Sequence, residues 1–238
     1  MTKETKGNVN KFIPLNGDKI LELKKDIIFE NKNIYIFDID ETLYPENKEI
    51  KDLRRKNYLE FLKEKGFNYE EATKELNMYT EKYGAAIKGI LHKYNIDDEI
   101  YFKLIKRESL DYKLFQIDTI GSEILNNLTG LKICLTNSDF FHAKLVLKSL
   151  GLLDHFDYVF HSDYEDKNFI CKPDEGVYHL VELFLGIKKR ENVYFFDDKL
   201  ANVEAARMVG WNGYHVNEKE DYKIILNKLH NKINKPFN

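Results

Sequence analysis

The chain is predicted to fold as a doubly wound α/β protein: a parallel sheet between helices, with a helical cap inserted after the first strand. Three observations predict it. Short apolar runs end abruptly in polar or acidic residues, as buried strands do where they leave a sheet. Single helical patterns separate the later runs, so successive strands are joined by crossovers and run parallel. One interval, between the first two runs, lasts roughly 90 residues where one crossover helix needs only a dozen or so.

Taken in order, residues 1–17 show no period and are expected to form a flexible tail, although Phe12, Ile13 and Leu15 could dock on the body of the protein. Residues 18–44 and 130–238 are assigned to the catalytic core and 45–129 to the cap. The first strand is read at Ile34–Asp38, from its Ile, Tyr and Phe content. In the cap, Ile50, Leu53, Tyr58, Phe61 and Leu62 fall at helical spacing, as do Tyr69, Ala72, Leu76, Tyr79 and Tyr83, with further helices near 98–107 and 119–128. The remaining strands are read at Leu131–Thr136, Asp157–His161, Asn192–Asp197 and Gly213–Val216. Between them Phe140 to Leu150, Val177 to Leu185 and Leu200 to Ala206 carry helical apolar stripes. An insert after the first strand lies above the carboxyl ends of the sheet, where α/β proteins bind ligands, and is placed to act as a lid.

Composition narrows the function classes. At 238 residues and 43% hydrophobic content the chain can build one sizeable core and a smaller second one. Its net charge of −3 and unblocked mixture of Lys, Asp, Glu and Asn argue against a nucleic-acid partner. Cys134 and Cys171 are too few for a disulfide framework, and no apolar run reaches the ~20 residues of a membrane span. Met1 to Asp18 lacks the apolar stretch of a signal peptide. A cytoplasmic protein, monomer or homodimer, acting on a small molecule away from membranes is expected.

Four segments fall at strand ends or in the loops beyond them: Asp38-Ile39-Asp40-Glu41-Thr42, Leu135-Thr136-Asn137, Cys171-Lys172-Pro173-Asp174 and Phe195-Phe196-Asp197-Asp198. Burying an unpaired carboxylate is costly, so acids that end apolar strands belong at a solvent-reaching site. Four acids, a lysine and a hydroxyl suit phosphoryl transfer. A phosphate monoester repels a carboxylate nucleophile unless a divalent cation screens it, and Mg²⁺ prefers oxygen ligands. In this reading Asp38 attacks phosphorus, Asp40 serves as acid and then base, and Asp197 and Asp198 complete the metal shell. Thr136 binds phosphoryl oxygens and Lys172 neutralises the nucleophile and the developing charge. Asn137, Ser138 and Asp139 are placed to meet ribose or phosphate, though Ser138 and Asp139 also read as helix N-caps. Tyr79, Tyr83, Tyr94 and Tyr101 offer the cap surfaces on which a base could stack, Tyr83 foremost. His142, one turn into the next helix, reads as a packed or solvated residue outside the mechanism.

These segments, in this order, resemble the four signature motifs of the haloacid dehalogenase-like hydrolase superfamily over about residues 32 to 216. The resemblance implies a Rossmann-like core, Asp38 as nucleophile, Asp40 as acid/base, Thr136 as phosphate ligand, Lys172 as the basic residue, and Mg²⁺ faced by Asp38, the Asp40 carbonyl and Asp198, with Asp197 assisting. The second acid, Asp40, resembles the phosphatase branches rather than the dehalogenases. Tyr79-Thr80-Glu81-Lys82-Tyr83-Gly84, Ile87-Lys88-Gly89-Ile90, His92 and Asn95-Ile96-Asp97 look like the cap of pyrimidine 5′-nucleotidases, although three residues separate His92 from Ile96 where two are expected. That resemblance implies hydrolysis of nucleoside 5′-monophosphates, pyrimidine nucleotides favoured. The alternatives are a sugar-phosphate phosphatase or phosphoglucomutase-like enzyme with the same acids, and a non-catalytic binding protein of the same fold.

Overall fold

The computed structural model describes residues 11–24, 32–106 and 110–233. At its centre is strand β2 (Ile34–Phe37), whose four residues are all buried, as befits a strand covered on both faces. It pairs in parallel with β3 (Leu131–Thr136) on one side and β5 (Val193–Asp197) on the other. Beyond these lie β4 (Tyr158–His161), β6 (Asn212–His215) and an edge strand β1 (Phe12–Pro14), giving the all-parallel order β1-β4-β3-β2-β5-β6. The predicted doubly wound α/β class is the observed one. Because chain order reverses direction at β2, its carboxyl end opens onto the crevice where such sheets bind ligands.

Alternation along β2 builds the two core layers. Tyr35 and Phe37 pack on one face with Phe156, Phe196 and Tyr222, while Ile34 and Ile36 pack on the other with Phe160, Val177 and Phe195. Phe37 stacks on Phe196 of the neighbouring strand at 4.8 Å between ring centroids. Burying each such side chain stabilises the fold by roughly 1.5–3 kcal/mol, which holds the strand ends in register beneath the site. Helices α7 (Phe140–Ser149), α8 (Glu175–Leu185) and α9 (Leu200–Met208) supply crossovers.

The expected flexible tail needs correction. Residues 1–10 lie outside the described residues, but Phe12–Pro14 forms β1, and the Leu15 N–H donates to the His161 carbonyl at 2.8 Å. Asn16 then caps α1 (Gly17–Leu23), accepting from the N–H groups of Asp18 and Lys19. Three residues ending in Pro14 carry too little alternation to read as a strand, and the edge position is where proline is tolerated.

The cap is built from α2 (Lys48–Glu64), α3 (Tyr69–Tyr83), α4 (Ala86–Lys93) and α5 (Asp98–Ile105). Asn47, Asn68 and Asp97 cap three of these helices, and Asn68 forms a reciprocal capping box with Glu71. Its own apolar centre joins Tyr58, Leu62, Leu76, Ile87, Ile90 and Tyr101. Leu110, Phe115 and Leu125, by contrast, pack in the core layer with Phe37, so α6 (Thr119–Asn127) belongs with the core and the expected division at 129 falls too late. Helical spacing shows which face of α6 is buried and is silent on what covers it.

Candidate active site

The site begins where β2 stops. The Asp38 N–H extends the ladder to the Phe196 carbonyl at 2.8 Å, and the Leu43 N–H then closes a turn on the Ile39 carbonyl at 3.0 Å. Glu41 completes that turn in the left-handed region with φ 65°, a conformation costing about 1–2 kcal/mol for a side chain of this kind. The reversal turns Asp40 back over the sheet.

Asp38 and Lys172 form the floor. The Lys172 ammonium has three donors and uses all of them, to Asp38 Oδ1 at 2.8 Å, Asp197 Oδ2 at 2.6 Å and the Leu135 carbonyl at 2.6 Å. Burial opposes charging the lysine, but Asp197 and Asp38 reverse that and raise it above its ordinary range. Asp197 is fully buried, and both its oxygens accept from Asn202 while Oδ1 also takes the Lys199 N–H. It is the anchor of Lys172. Asp198 faces the cavity, where Lys199 Nζ donates to it at 2.5 Å, and its own N–H donates to Thr42 Oγ1 at 3.0 Å.

Asp38, Asp197 and Asp198 each offer an oxygen, and these atoms lie within 4.8 Å of one another. An all-carboxylate donor set of this kind fits a hard divalent cation such as Mg²⁺. Burial, reinforced by Asp197, pushes the Asp198 carboxyl up to about 6, and burial raises Asp38 well above its ordinary value against the pull of Lys172. Three carboxylates here share the ammonium groups of Lys172 and Lys199, and a divalent cation would offset the remaining negative charge. Asp40's carboxylate is not part of this group.

Asp40 has a different environment. Oδ1 accepts from Tyr44 Oη and faces His142 Nε2, both at 2.7 Å, while Oδ2 accepts from Ser138 Oγ at 2.6 Å and pairs with Arg54 at 3.1 Å. Burial alone would raise this carboxyl, but Arg54 and His142, helped by Ser138, hold it well below the usual carboxylate range. Thr136, at the end of β3, accepts the Ser138 N–H at 3.0 Å and lines the same cavity.

That cavity has a volume of about 500 Å³, with Asp38, Asp40, Thr136, Lys172 and Asp198 below and Lys51, Arg54, Arg55, Tyr58 and Thr80 from the cap above. Of two expected substrate contacts, Asn137 lines the cavity and Tyr83 does not. Asn137 spends its amide on backbone, donating to the carbonyls of Gly84 (3.0 Å) and Lys172 (2.8 Å) and accepting the Lys172 N–H (2.8 Å). The Tyr83 ring lies 5.2 Å from that of His92. Sequence reasoning missed Tyr44, Arg54, Arg55 and His142 as site residues. The signals were present in a tyrosine one turn beyond Asp40 and an arginine pair on the helix that follows it.

An acidic, cation-compatible floor thus lies at the switch point of a capped, doubly wound sheet. Residues 32–210 match the model of the haloacid dehalogenase-like hydrolases, and the chain belongs to that family. Phosphate metabolism protein 8 of Saccharomyces cerevisiae is 31% identical over 204 residues, covering 81% of this chain and 63% of that protein, so the chain spans less than two thirds of its relative's length. In fold, the chain is similar to L-2-haloacid dehalogenase from Xanthobacter autotrophicus (TM-score 0.50, 16% identity, 86% of this chain and 85% of that one). It is also similar to a haloacid dehalogenase family enzyme from Bacteroides thetaiotaomicron (TM-score 0.50, 21% identity, 84% of this chain and 98% of that one).

Proposed function

We propose that the protein is a Mg²⁺-dependent phosphomonoesterase that hydrolyses nucleoside 5′-monophosphates, pyrimidine nucleotides foremost, through an aspartyl-phosphate at Asp38. The observation that carries this reading is the Lys172 ammonium shared between Asp38 and Asp197, with Asp40 facing the same cavity. Lys172 orients Asp38, and in this reading Asp40 exchanges the protons. Among the described residues no helix is long and apolar enough to cross a membrane; a free small-molecule ester as substrate and cytoplasmic action are part of the proposal.

In the first half-reaction a carboxylate oxygen of Asp38 bonds to phosphorus as the bond to the ester oxygen breaks, and Asp40 gives that oxygen a proton. In the second, water attacks the aspartyl-phosphate, Asp40 takes its proton, and inorganic phosphate leaves with Asp38 restored. Because Arg54 and His142 keep Asp40 ionised in the free protein, its proton has to come with the substrate. A phosphate group has its second pKa near about 6, and its negative charge beside Asp40 raises that carboxyl again. Thr136 holds phosphoryl oxygens, and Lys172 neutralises the nucleophile and the developing charge. Asp38 and Asp198, with Asp197 and the Asp40 carbonyl, would hold Mg²⁺, which supplies charge neutralisation between nucleophile and phosphate when bound.

The relative's name ties that protein to phosphate metabolism, which supports phosphoryl chemistry, as does the second acid. For the nucleoside, Tyr58 and Tyr164 line the cavity and offer the aromatic surface first assigned to Tyr83. The test is phosphate release from UMP, CMP, AMP, nicotinamide mononucleotide and glucose 6-phosphate, with and without Mg²⁺, on wild type and Asp38→Asn. Metal-dependent release from the pyrimidine nucleotides, abolished in the variant, is expected. Release from glucose 6-phosphate alone would keep the chemistry and discard the nucleotide.

A further inference from the structure

Arg54 and Arg55 are neighbours on α2 with opposite electrostatic situations. Successive residues of a helix face different ways, so Arg54 turns to Asp40 (3.1 Å) and Glu41 (3.7 Å) while Arg55 turns to α3. There Arg55 Nη1 donates to Asn77 Oδ1 at 2.6 Å and Nη2 to Thr80 Oγ1 at 3.5 Å, both neutral acceptors. All three residues line the roof of the cavity above the acidic floor. Among the described residues no carboxylate lies within ion-pair distance of Arg55, unlike Lys51, Arg54 and Lys199 around it. Burial, with Arg54 beside it, pushes the Arg55 guanidinium down, whereas Asp40 outweighs burial and raises Arg54.

A half-buried guanidinium with Glu41, Asp52 and Glu46 acting on it only from beyond ion-pair distance is incompletely compensated, and α3 nevertheless holds it with two neutral acceptors. Five N–H donors lie in the guanidinium plane and these contacts use two, which leaves three for a ligand in the cavity. We infer that Arg55, held by Asn77 and Thr80, is the specificity residue that reads the leaving group, selecting one with two adjacent, coplanar acceptor atoms. This rests on the phosphomonoesterase reading and refines its substrate. A carboxylate has that pattern, and so does the O2/N3 edge of cytosine. Uracil does not, since its N3 carries a hydrogen that meets the guanidinium donor to donor.

The experiment measures kcat/KM for two pairs of esters, CMP against UMP and 3-phosphoglycerate against glycerol 3-phosphate, with Mg²⁺. It compares wild type, Arg55→Gln and Arg55→Lys. In wild type one of the two ratios is expected to exceed about tenfold, the order of discrimination a bidentate pair supplies. Both substitutions should bring that ratio close to one, because an ammonium keeps the charge and the stem but not the fork. The ratio that collapses identifies the source of the acceptor pair, base edge or carboxylate. Two wild-type ratios near one, or a wild-type ratio that survives in either variant, would overturn the inference while leaving the phosphatase reading intact. Wild-type protein that releases phosphate from none of the four esters would overturn both.

Discussion

His142 Nε2 lies 2.7 Å from Asp40 Oδ1, and the imidazole is fully buried, with Tyr112 Oη 3.1 Å from its Nδ1. The residue read as packed or solvated therefore orients one of the two acids of the site and contributes to its low pKa. His142→Ala should leave Asp40 to Ser138, Tyr44 and Arg54, with the carboxylate less well aimed. The expected loss is roughly 10- to 100-fold in kcat with KM little changed, the scale of a misplaced acid/base group. The acid limb of the kcat profile should also move to higher pH, since a contact that favours ionisation is gone; a pH series on both proteins measures it.

Lys172 and Asp38 should respond differently in stability although both variants lose activity. Lys172→Met leaves Asp38 and Asp197 buried without their cation, a change expected to cost about 3–5 kcal/mol. Asp38→Asn keeps the Lys172–Asp197 pair and removes a carboxyl whose ionisation burial opposes. Urea denaturation should place Asp38→Asn within about 1 kcal/mol of wild type, the range of ordinary site substitutions, and Lys172→Met far below it.

Asp198 predicts a pH window for metal-free stability. Its carboxyl is raised to about 6 in the fold against an ordinary carboxylate value near 4. The folded chain thus holds the extra proton between those values, and this contribution is fully present below about pH 4 and lost as pH rises through about 6, by about 3 kcal/mol at most. In calorimetry with chelator, the part of stability due to Asp198 is the difference from Asp198→Asn, which should be more stable than wild type at pH 7 and lose that advantage near pH 4. Mg²⁺ should stabilise wild type more at pH 7 than at pH 5, and Asp198→Asn much less at either.

Asn137 ties the cap to the core through Gly84 and Lys172. Asn137→Ala should destabilise by about 2 kcal/mol, since it strands buried backbone groups. Hydrogen exchange over residues 84–90 should quicken by roughly tenfold or more if those amides open through this contact. Gly84→Ala should be worse. Gly84 sits at φ 78°, and an added Cβ would lie 2.0 Å from the Lys172 carbonyl oxygen, so thermal melting should show the larger loss.

By itself the sequence determined the layered class, the parallel strands β2 to β6 and the identities of Asp38, Asp40, Thr136, Lys172, Asp197 and Asp198 as strand-end residues. Those features are local: an apolar run followed by an acid states both the strand and where it must emerge from the core. Only the tertiary structure decided who faces whom. His142 meets Asp40 across 102 residues of chain, Asn137 at the cavity wall latches Gly84, and among the described residues Arg55 has no carboxylate at ion-pair distance beside a matched Arg54. Edge strand β1 is too short to show a period, and it exists because β4 offers it an open ladder. Periodicity reports which side of an element is covered. Hydrogen bonds and ion pairs depend on what covers it, and that is settled by packing between segments far apart in the chain.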